Sequence, residues 1–341
     1  MGAAPQGTPP SKPSPSPLVI ALGDPAGIGP EVVLKALAKP EAAGRPVTLV
    51  GCRRWLERAY AHLRPLSDAP LADPASLVVV DVPLEEPVTP GLGTAASGAA
   101  SFDWLTRAWE LVQAEEGRAL VTGPIAKAAW HAAGHRYPGQ TERLAELCGV
   151  AQASMLFTAR PARGSWRFNT LLATTHIPLA QVPTALGRQL VNLQLERLLK
   201  FCQRFQPRPR LVVAGLNPHA GECGALGDEE QAWLEPCLRS WQADHPEAHL
   251  EGPLPPDTCW LEAARAWQGE DGGPDGFLAL YHDQGLIPVK LLAFEQAVNT
   301  TLGLPFLRTS PDHGTAFAIA GLGVARSTSM SAALETAWEL G

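Results

Sequence analysis

Short apolar runs punctuated by Gly and Pro alternate along this chain with stretches of helical spacing. The pattern predicts strands at Leu18 to Leu22, Val47 to Val50, Leu77 to Val82, Ala119 to Thr122, Leu171 to Thr174, Leu211 to Ala214 and Phe277 to Leu280. Helical spacing follows at Pro30 to Leu37, Ala99 to Ala114, Leu144 to Leu147 and Leu190 to Cys202. Short buried strands alternating with helices imply an α/β protein with a largely parallel sheet, because parallel strands need crossovers that cover both faces. In such sheets ligands gather on the loops beyond the carboxyl ends of the strands. No repeat of fixed period and no internal low-complexity linker divides the chain, so a two-domain division has to be interwoven.

Composition sharpens this picture. The 341 residues, 45% hydrophobic and 18% charged, suit a globular protein of about two domains with a real core. Thirty-two glycines and 33 prolines exceed average usage, and six of the prolines fall in residues 1–17. That segment has almost nothing apolar to bury and predicts a disordered, Pro-rich tail. A formal net charge of −7 leaves no basic footprint for nucleic acid or an anionic membrane. A small anionic substrate needs only a few local cations. The chain has neither a membrane-spanning apolar run nor the apolar core of a signal peptide, so the expected location is the cytoplasm. Six cysteines without a CxxC pair fit reduced, structural thiols.

Chemistry concentrates in the loops. His176, His219 and His282 each follow a predicted strand inside a Gly-, Pro- or Asn-rich segment. Three strand-end imidazoles suit one divalent metal with an open coordination position. Their separations, 43 and 63 residues, match no local metal motif, and each also fits a loop or core role, so the residues alone leave both readings open. Lys290, Asn299 and Arg308, with Asp312-His313-Gly314-Thr315 after them, interrupt an apolar segment. Such donors are costly to bury unless an anion or a salt bridge pairs with them. Gly23-Asp24-Pro25-Ala26-Gly27-Ile28-Gly29-Pro30-Glu31 sets a flexible backbone before a helix start, a candidate anion site. Gly91-Leu92-Gly93-Thr94-Ala95-Ala96 fits GxGxxA but follows Pro87 and Pro90 rather than a strand, and is not read as a dinucleotide fingerprint.

Taken together, GDPAGIGPE (23–31), VTGPIAK (121–127), PGQTE (138–142), GLNPHAGECGALGDEE (215–230), GPLPPDT (252–258), YHDQGLIPVK (281–290) and VNTTLGLPFLRTSPDHGTA (298–316) closely resemble the 4-hydroxythreonine-4-phosphate dehydrogenase family of pyridoxal phosphate biosynthesis. The resemblance covers essentially everything after the tail. It implies a fold similar to isocitrate and isopropylmalate dehydrogenases, with two interwoven α/β subdomains around a central cleft. Residues 18–125 plus about 290–341 would form the first subdomain and about 126–289 the second. It implies a homodimer with the metal site at the interface, ligands coming from both subunits, and no nucleic-acid or membrane partner. The metal histidines map onto His176, His219 and His282, and the substrate contacts onto Gln140, Thr141, Lys290, Asn299 and Arg308. Many members carry histidine at position 140; glutamine still donates to phosphate but cannot be cationic.

The implied reaction is an NAD-dependent (or NADP-dependent) oxidation of the secondary alcohol of 4-phosphooxy-L-threonine, assisted by a divalent metal such as zinc, magnesium or cobalt. Decarboxylation to 3-amino-2-oxopropyl phosphate follows. Lys290 is the candidate for anion binding and proton transfer, and Asp283 for orienting the adjacent histidine. No cofactor-binding residues are assigned. Sister activities on other phosphorylated hydroxy acids or dihydrodiols, and a non-catalytic binding protein on the same scaffold, are the alternatives.

Overall fold

The computed structural model describes residues 16–67, 69–270 and 272–341, so the Pro-rich tail lies almost wholly outside the described residues. Among the described residues one sheet contains β1 (Leu18–Ala21), β2 (Val47–Gly51), β3 (Val78–Asp81), β4 (Ala119–Thr122), β5 (Ser154–Ala159), β6 (Phe168–Leu172), β7 (Arg210–Ala214), β8 (His249–Leu254), β9 (Gly276–Ala279), β10 (Val298–Leu302) and β11 (Leu307–Pro311). The helices are α1 (Gly29–Leu37), α2 (Arg53–Leu63), α3 (Ala95–Gln113), α4 (Lys127–Ala132), α5 (Gln140–Leu147), α6 (Val182–Ala185), α7 (Arg188–Cys202), α8 (Glu235–Asp244), α9 (Leu261–Trp267), α10 (His282–Ala293) and α11 (Thr328–Leu340). None of them is long and apolar enough to cross a membrane.

The order across the sheet is β3-β2-β1-β4-β11-β10-β5-β6-β9-β7-β8. The first five strands pair in parallel, and so do the last four. Between them β10 is antiparallel to both β11 and β5, and β5 is antiparallel to β6. The two parallel blocks therefore run in opposite directions. The α/β class read from the sequence holds, with an antiparallel centre that hydrophobic runs did not disclose.

Three apolar cores hold this sheet. The first encloses the five-strand block, where Trp104 and Leu105 of α3 and Met330 and Leu334 of α11 pack on β1 and β4. The other two lie on opposite faces of the four-strand block. Leu195, Leu198 and Trp241 of α7 and α8 cover one face, and Ala263, Leu286 and Val289 of α9 and α10 cover the other. Burial of such side chains contributes about 1.5–3 kcal/mol each.

Local signals account for the two Gly-rich segments. Thr94 caps α3: its hydroxyl accepts from the Ser97 N–H at 3.3 Å while the Ser97 hydroxyl accepts from the Thr94 N–H at 3.0 Å. The GxGxxA string is thus the approach to a helix cap. The 23–31 loop is buried, and its glycines serve close backbone approach: a Cβ on Gly23 would lie 2.4 Å from the Pro124 carbonyl oxygen, and one on Gly27 2.9 Å from Thr315. The Asp24, Gly27 and Ile28 N–H groups donate to the Pro124, Asp24 and Thr315 carbonyls, so this loop packs on its neighbours instead of opening these amides to a ligand.

Candidate active site

A cavity of about 440 Å³ opens over one face of the antiparallel centre. The register explains its floor. Asn299 pairs with Ser310 and Phe157, and Thr301 pairs with Arg308 and Met155, so these residues share a face. On the other face Thr309 turns into the first core, where its hydroxyl donates to the Ala333 carbonyl.

Arg308 dominates this floor. It is 4% exposed, and burial pushes its guanidinium down to about 10, with the nearby Glu142 charge acting the other way. It remains a cation at neutral pH. Its N–H groups donate to Thr122 Oγ1 at 3.1 and 2.6 Å and to Thr301 Oγ1 at 3.1 Å. These are hydroxyls, not carboxylates, and they take three of five donors. A buried guanidinium with neutral partners and spare donors, facing a cavity, is an anion site.

Loops build the rim. Gly123 and Lys127 follow β4, and a Cβ on Gly123 would lie 2.3 Å from the Leu22 carbonyl oxygen, so glycine lets this loop rest on the end of β1. Gln140 opens α5 and donates from Nε2 to the Gly123 carbonyl at 3.0 Å, which leaves one amide N–H and the carbonyl oxygen for a ligand. Thr141 and Glu142 line the same wall.

The opposite wall carries two of the three histidines. His176, after β6, and His282, the first residue of α10, have ring centroids 5.5 Å apart. Burial, then His282 and Lys127, lowers the His176 pKa and favours the neutral, ligating imidazole. His282 Nδ1 lies 2.7 Å from Asp283 Oδ1, an arrangement that leaves Nε2 as the free lone pair. Gly285 seats α10, since a Cβ there would come within 2.5 Å of Leu172 and 2.9 Å of Ala279. The buried Gln284 ties this turn down: its Oε1 accepts from the Leu280 N–H and its Nε2 donates to the Gly215 carbonyl, both at 2.7 Å.

His219 stands apart. It does not line the cavity, its side chain is 62% exposed, and Nδ1 lies 3.5 Å from Glu222. It belongs to a run of five residues, His219 to Cys223, with φ between 43° and 79°. A left-handed conformation costs a non-glycine residue roughly 1–2 kcal/mol, so the surroundings must enforce it. Among the described residues no three His, Cys, Asp or Glu side chains are grouped to hold a metal. Within one chain His176 and His282 fit a divalent ion as an incomplete, two-imidazole set.

Of the other expected residues, Asn299 and Thr141 line the cavity directly. Lys290 does not. Its ammonium, lowered in pKa by burial, is bound by Asp312, which does line it. Lys127, Glu142, Gln284 and His313 carried no role in the sequence reading beyond membership of a motif. Lys127 is a second cation of the cavity, and His313 presents a buried Nε2 without a partner. A polar residue inside a Gly/Pro motif was the available signal for each.

Two opposed parallel blocks joined through an antiparallel centre make this an α/β protein of the isocitrate dehydrogenase-like fold. An isocitrate dehydrogenase from Methylococcus capsulatus shares that fold with a TM-score of 0.50 at 16% identity, covering 94% of this chain and 84% of that one. Residues 43–337 match the family described as "Pyridoxal phosphate biosynthetic protein PdxA". A 4-hydroxythreonine-4-phosphate dehydrogenase from Synechococcus sp. (strain RCC307) is 64% identical over 95% of this chain and 99% of its own length. A D-threonate 4-phosphate dehydrogenase from Pectobacterium atrosepticum is 38% identical over 95% and 98%. The crystal structure of 4-hydroxythreonine-4-phosphate dehydrogenase from Klebsiella pneumoniae superposes with a TM-score of 0.82 at 38% identity, covering 95% of this chain and 99% of that one. The chain belongs to the PdxA family, and is an oxidoreductase of the 4-hydroxythreonine-4-phosphate dehydrogenase type in pyridoxal phosphate biosynthesis.

Proposed function

We propose that this chain oxidises the secondary alcohol of 4-phosphooxy-L-threonine with NAD and a divalent metal, then releases carbon dioxide to give 3-amino-2-oxopropyl phosphate. The observation that carries the reading is one cavity with a buried guanidinium free of carboxylate partners on its floor and two imidazoles on its wall. Arg308 binds an anionic group of the substrate with its spare N–H donors, and Asn299, Thr141 and Gln140 supply neutral hydrogen bonds. His176 and His282 hold the metal, with Asp283 fixing the His282 tautomer. A divalent ion held by these imidazoles would supply Lewis-acid polarisation of a substrate oxygen. Imidazole ligands favour zinc or cobalt over magnesium. Asp312 at the cavity wall, with Lys290 bound behind it, offers an acid–base couple.

The working unit in this reading is a homodimer. Ile287 and Leu291 of α10 and Phe294 immediately after it are 59%, 79% and 63% exposed and form one stripe, beginning little more than a turn after His282. In this reading a second copy seated on this stripe would bring His219 of the partner subunit to the two imidazoles and complete a three-histidine set. Mixing the inactive variants H219A and R308A tests this. Random pairing leaves one intact site in each heterodimer, so activity returns to about a quarter of wild type. No recovery after subunit exchange would place His219 in its own chain's site.

NADH formation from 4-phosphooxy-L-threonine with added Zn²⁺ or Co²⁺ checks the chemistry, and NADP in place of NAD checks cofactor choice. A second reading, oxidation of D-threonate 4-phosphate, is favoured by the 38% identical relative and by the non-cationic Gln140. A kcat/KM for that compound above the one for 4-phosphooxy-L-threonine would replace the first reading.

A further inference from the structure

The loop from Gly215 to Glu230 carries more construction than its exposed histidine needs for itself. Bonds inside the turn are local: Ala220 N–H donates to the Asn217 carbonyl, and Leu226 N–H to the Gly221 carbonyl. They do not fix it to the molecule. That anchor is Glu230, a fully buried residue at the start of a wide π-type turn, Glu230–Leu234, leading into α8. Its Oε1 accepts from the Leu216 and Asn217 backbone N–H groups at 2.8 Å each, and its Oε2 from Asn217 Nδ2 at 2.9 Å. The turn rests on this carboxylate. A Cβ on Gly221 would lie 2.8 Å from Glu230 Oε2, and one on Gly227 2.4 Å from Asn217 Nδ2.

All three partners of Glu230 are donors, which explains the residue type. An acceptor-only carboxylate satisfies them. Glutamine would set its own N–H₂ against the Asn217 amide, and aspartate is one methylene too short to span the same gap. Glu230 does not line the cavity, so it acts through another residue.

We infer that Glu230 is a positioning residue: it enforces the left-handed turn from His219 to Cys223 and so aims the His219 imidazole at the metal. The inference rests on the reading of His219 as a metal ligand. It makes the loop a built-in presenter of one ligand, supported from behind by a carboxylate that never meets the substrate. Gln284 joins the same system, because its bond to the Gly215 carbonyl links the base of this loop to the turn carrying His282.

The test uses the metal-stripped full-length chain and Co²⁺ as the probe, with affinity and the visible ligand-field bands as readouts. E230Q is expected to weaken Co²⁺ binding at least about tenfold and to alter the bands, while amide exchange rises at residues 216–223 and not in α7 or α11. With Co²⁺ saturating, the KM for substrate should stay within about twofold as kcat falls. N217A, which removes the amide that donates to Glu230 and to Glu229 and leaves the Glu230 carboxylate, should show the same change to a smaller degree and serves if E230Q does not fold. H219A is the control. If H219A binds Co²⁺ as wild type does, the ligand reading itself fails. If H219A loses Co²⁺ affinity while E230Q and N217A keep wild-type affinity and bands, only the positioning role is overturned.

Discussion

The two ends of the cavity are built in different ways. The anion end stands on strands β4, β10 and β11, where register fixes Arg308, Asn299 and Ser310. The metal end stands on the loop after β6 and the first turn of α10, with the third histidine on a separate, exposed turn. Strand-borne groups arrive preorganised, because the sheet's hydrogen bonds pay no further cost on binding. Loop-borne ligands depend on supporting contacts such as Gln284 and Glu230, and in the proposed dimer on a neighbour. The difference teaches that removing a residue from either end should leave a different kinetic signature.

The largest expected effect is at the metal end. His219→Ala should lower activity at least roughly 1,000-fold with the dimer intact by sedimentation, because a two-imidazole site loses its metal. Full turnover by this variant after rigorous chelation would remove His219 from the site. Arg308→Ala should come next, raising the substrate KM roughly 100-fold or more, as expected when a buried charge loses its partner. The KM for NAD should change less than threefold, and equal losses for both would indicate a folding defect instead. Asp283→Asn should weaken metal affinity roughly 10- to 100-fold, with substrate KM restored when metal is saturating. An unchanged metal titration would leave Asp283 a surface residue. Gln140→His is the smallest, a KM change of about two- to fivefold that grows below pH 6.5 as the imidazole becomes cationic. A change independent of pH would show that position 140 acts through its bond to Gly123 rather than on the substrate.

The parallel blocks were legible because their strands are apolar on both faces. Leu18 to Ala21 and Ala119 to Thr122 are wholly buried, and the predicted limits for these two agree with the structure to within one residue. The centre was not legible for the opposite reason. β10 reads Val-Asn-Thr-Thr-Leu and β11 Leu-Arg-Thr-Ser-Pro. Asn299, Arg308 and Ser310 line the cavity, Thr301 accepts from Arg308 across the sheet, Thr309 donates to α11, and the Thr300 hydroxyl is buried without a partner. Function and secondary structure occupy the same residues there, and periodicity cannot separate them. β5 and the Gly-Pro-containing edge strand β8 likewise carry no apolar run that marks them in the sequence. In the site, the motifs located His176, His282, Asn299 and Arg308, but sequence spacing carries no record of His219 standing outside the cavity. That follows from a left-handed turn, which depends on Glu230 lying eleven residues further on.

Placing the substrate grip on paired strands also limits how this enzyme can diversify. A single residue inserted or deleted within β10 would exchange Asn299 for Thr300 on the cavity face, and one within β11 would exchange Arg308 for Thr309, because the side-chain period of a strand is two. Specificity at this end therefore evolves by exchange of side chains at fixed positions. Length variation is left to the surface loops, where an added residue shifts a connection without inverting a face.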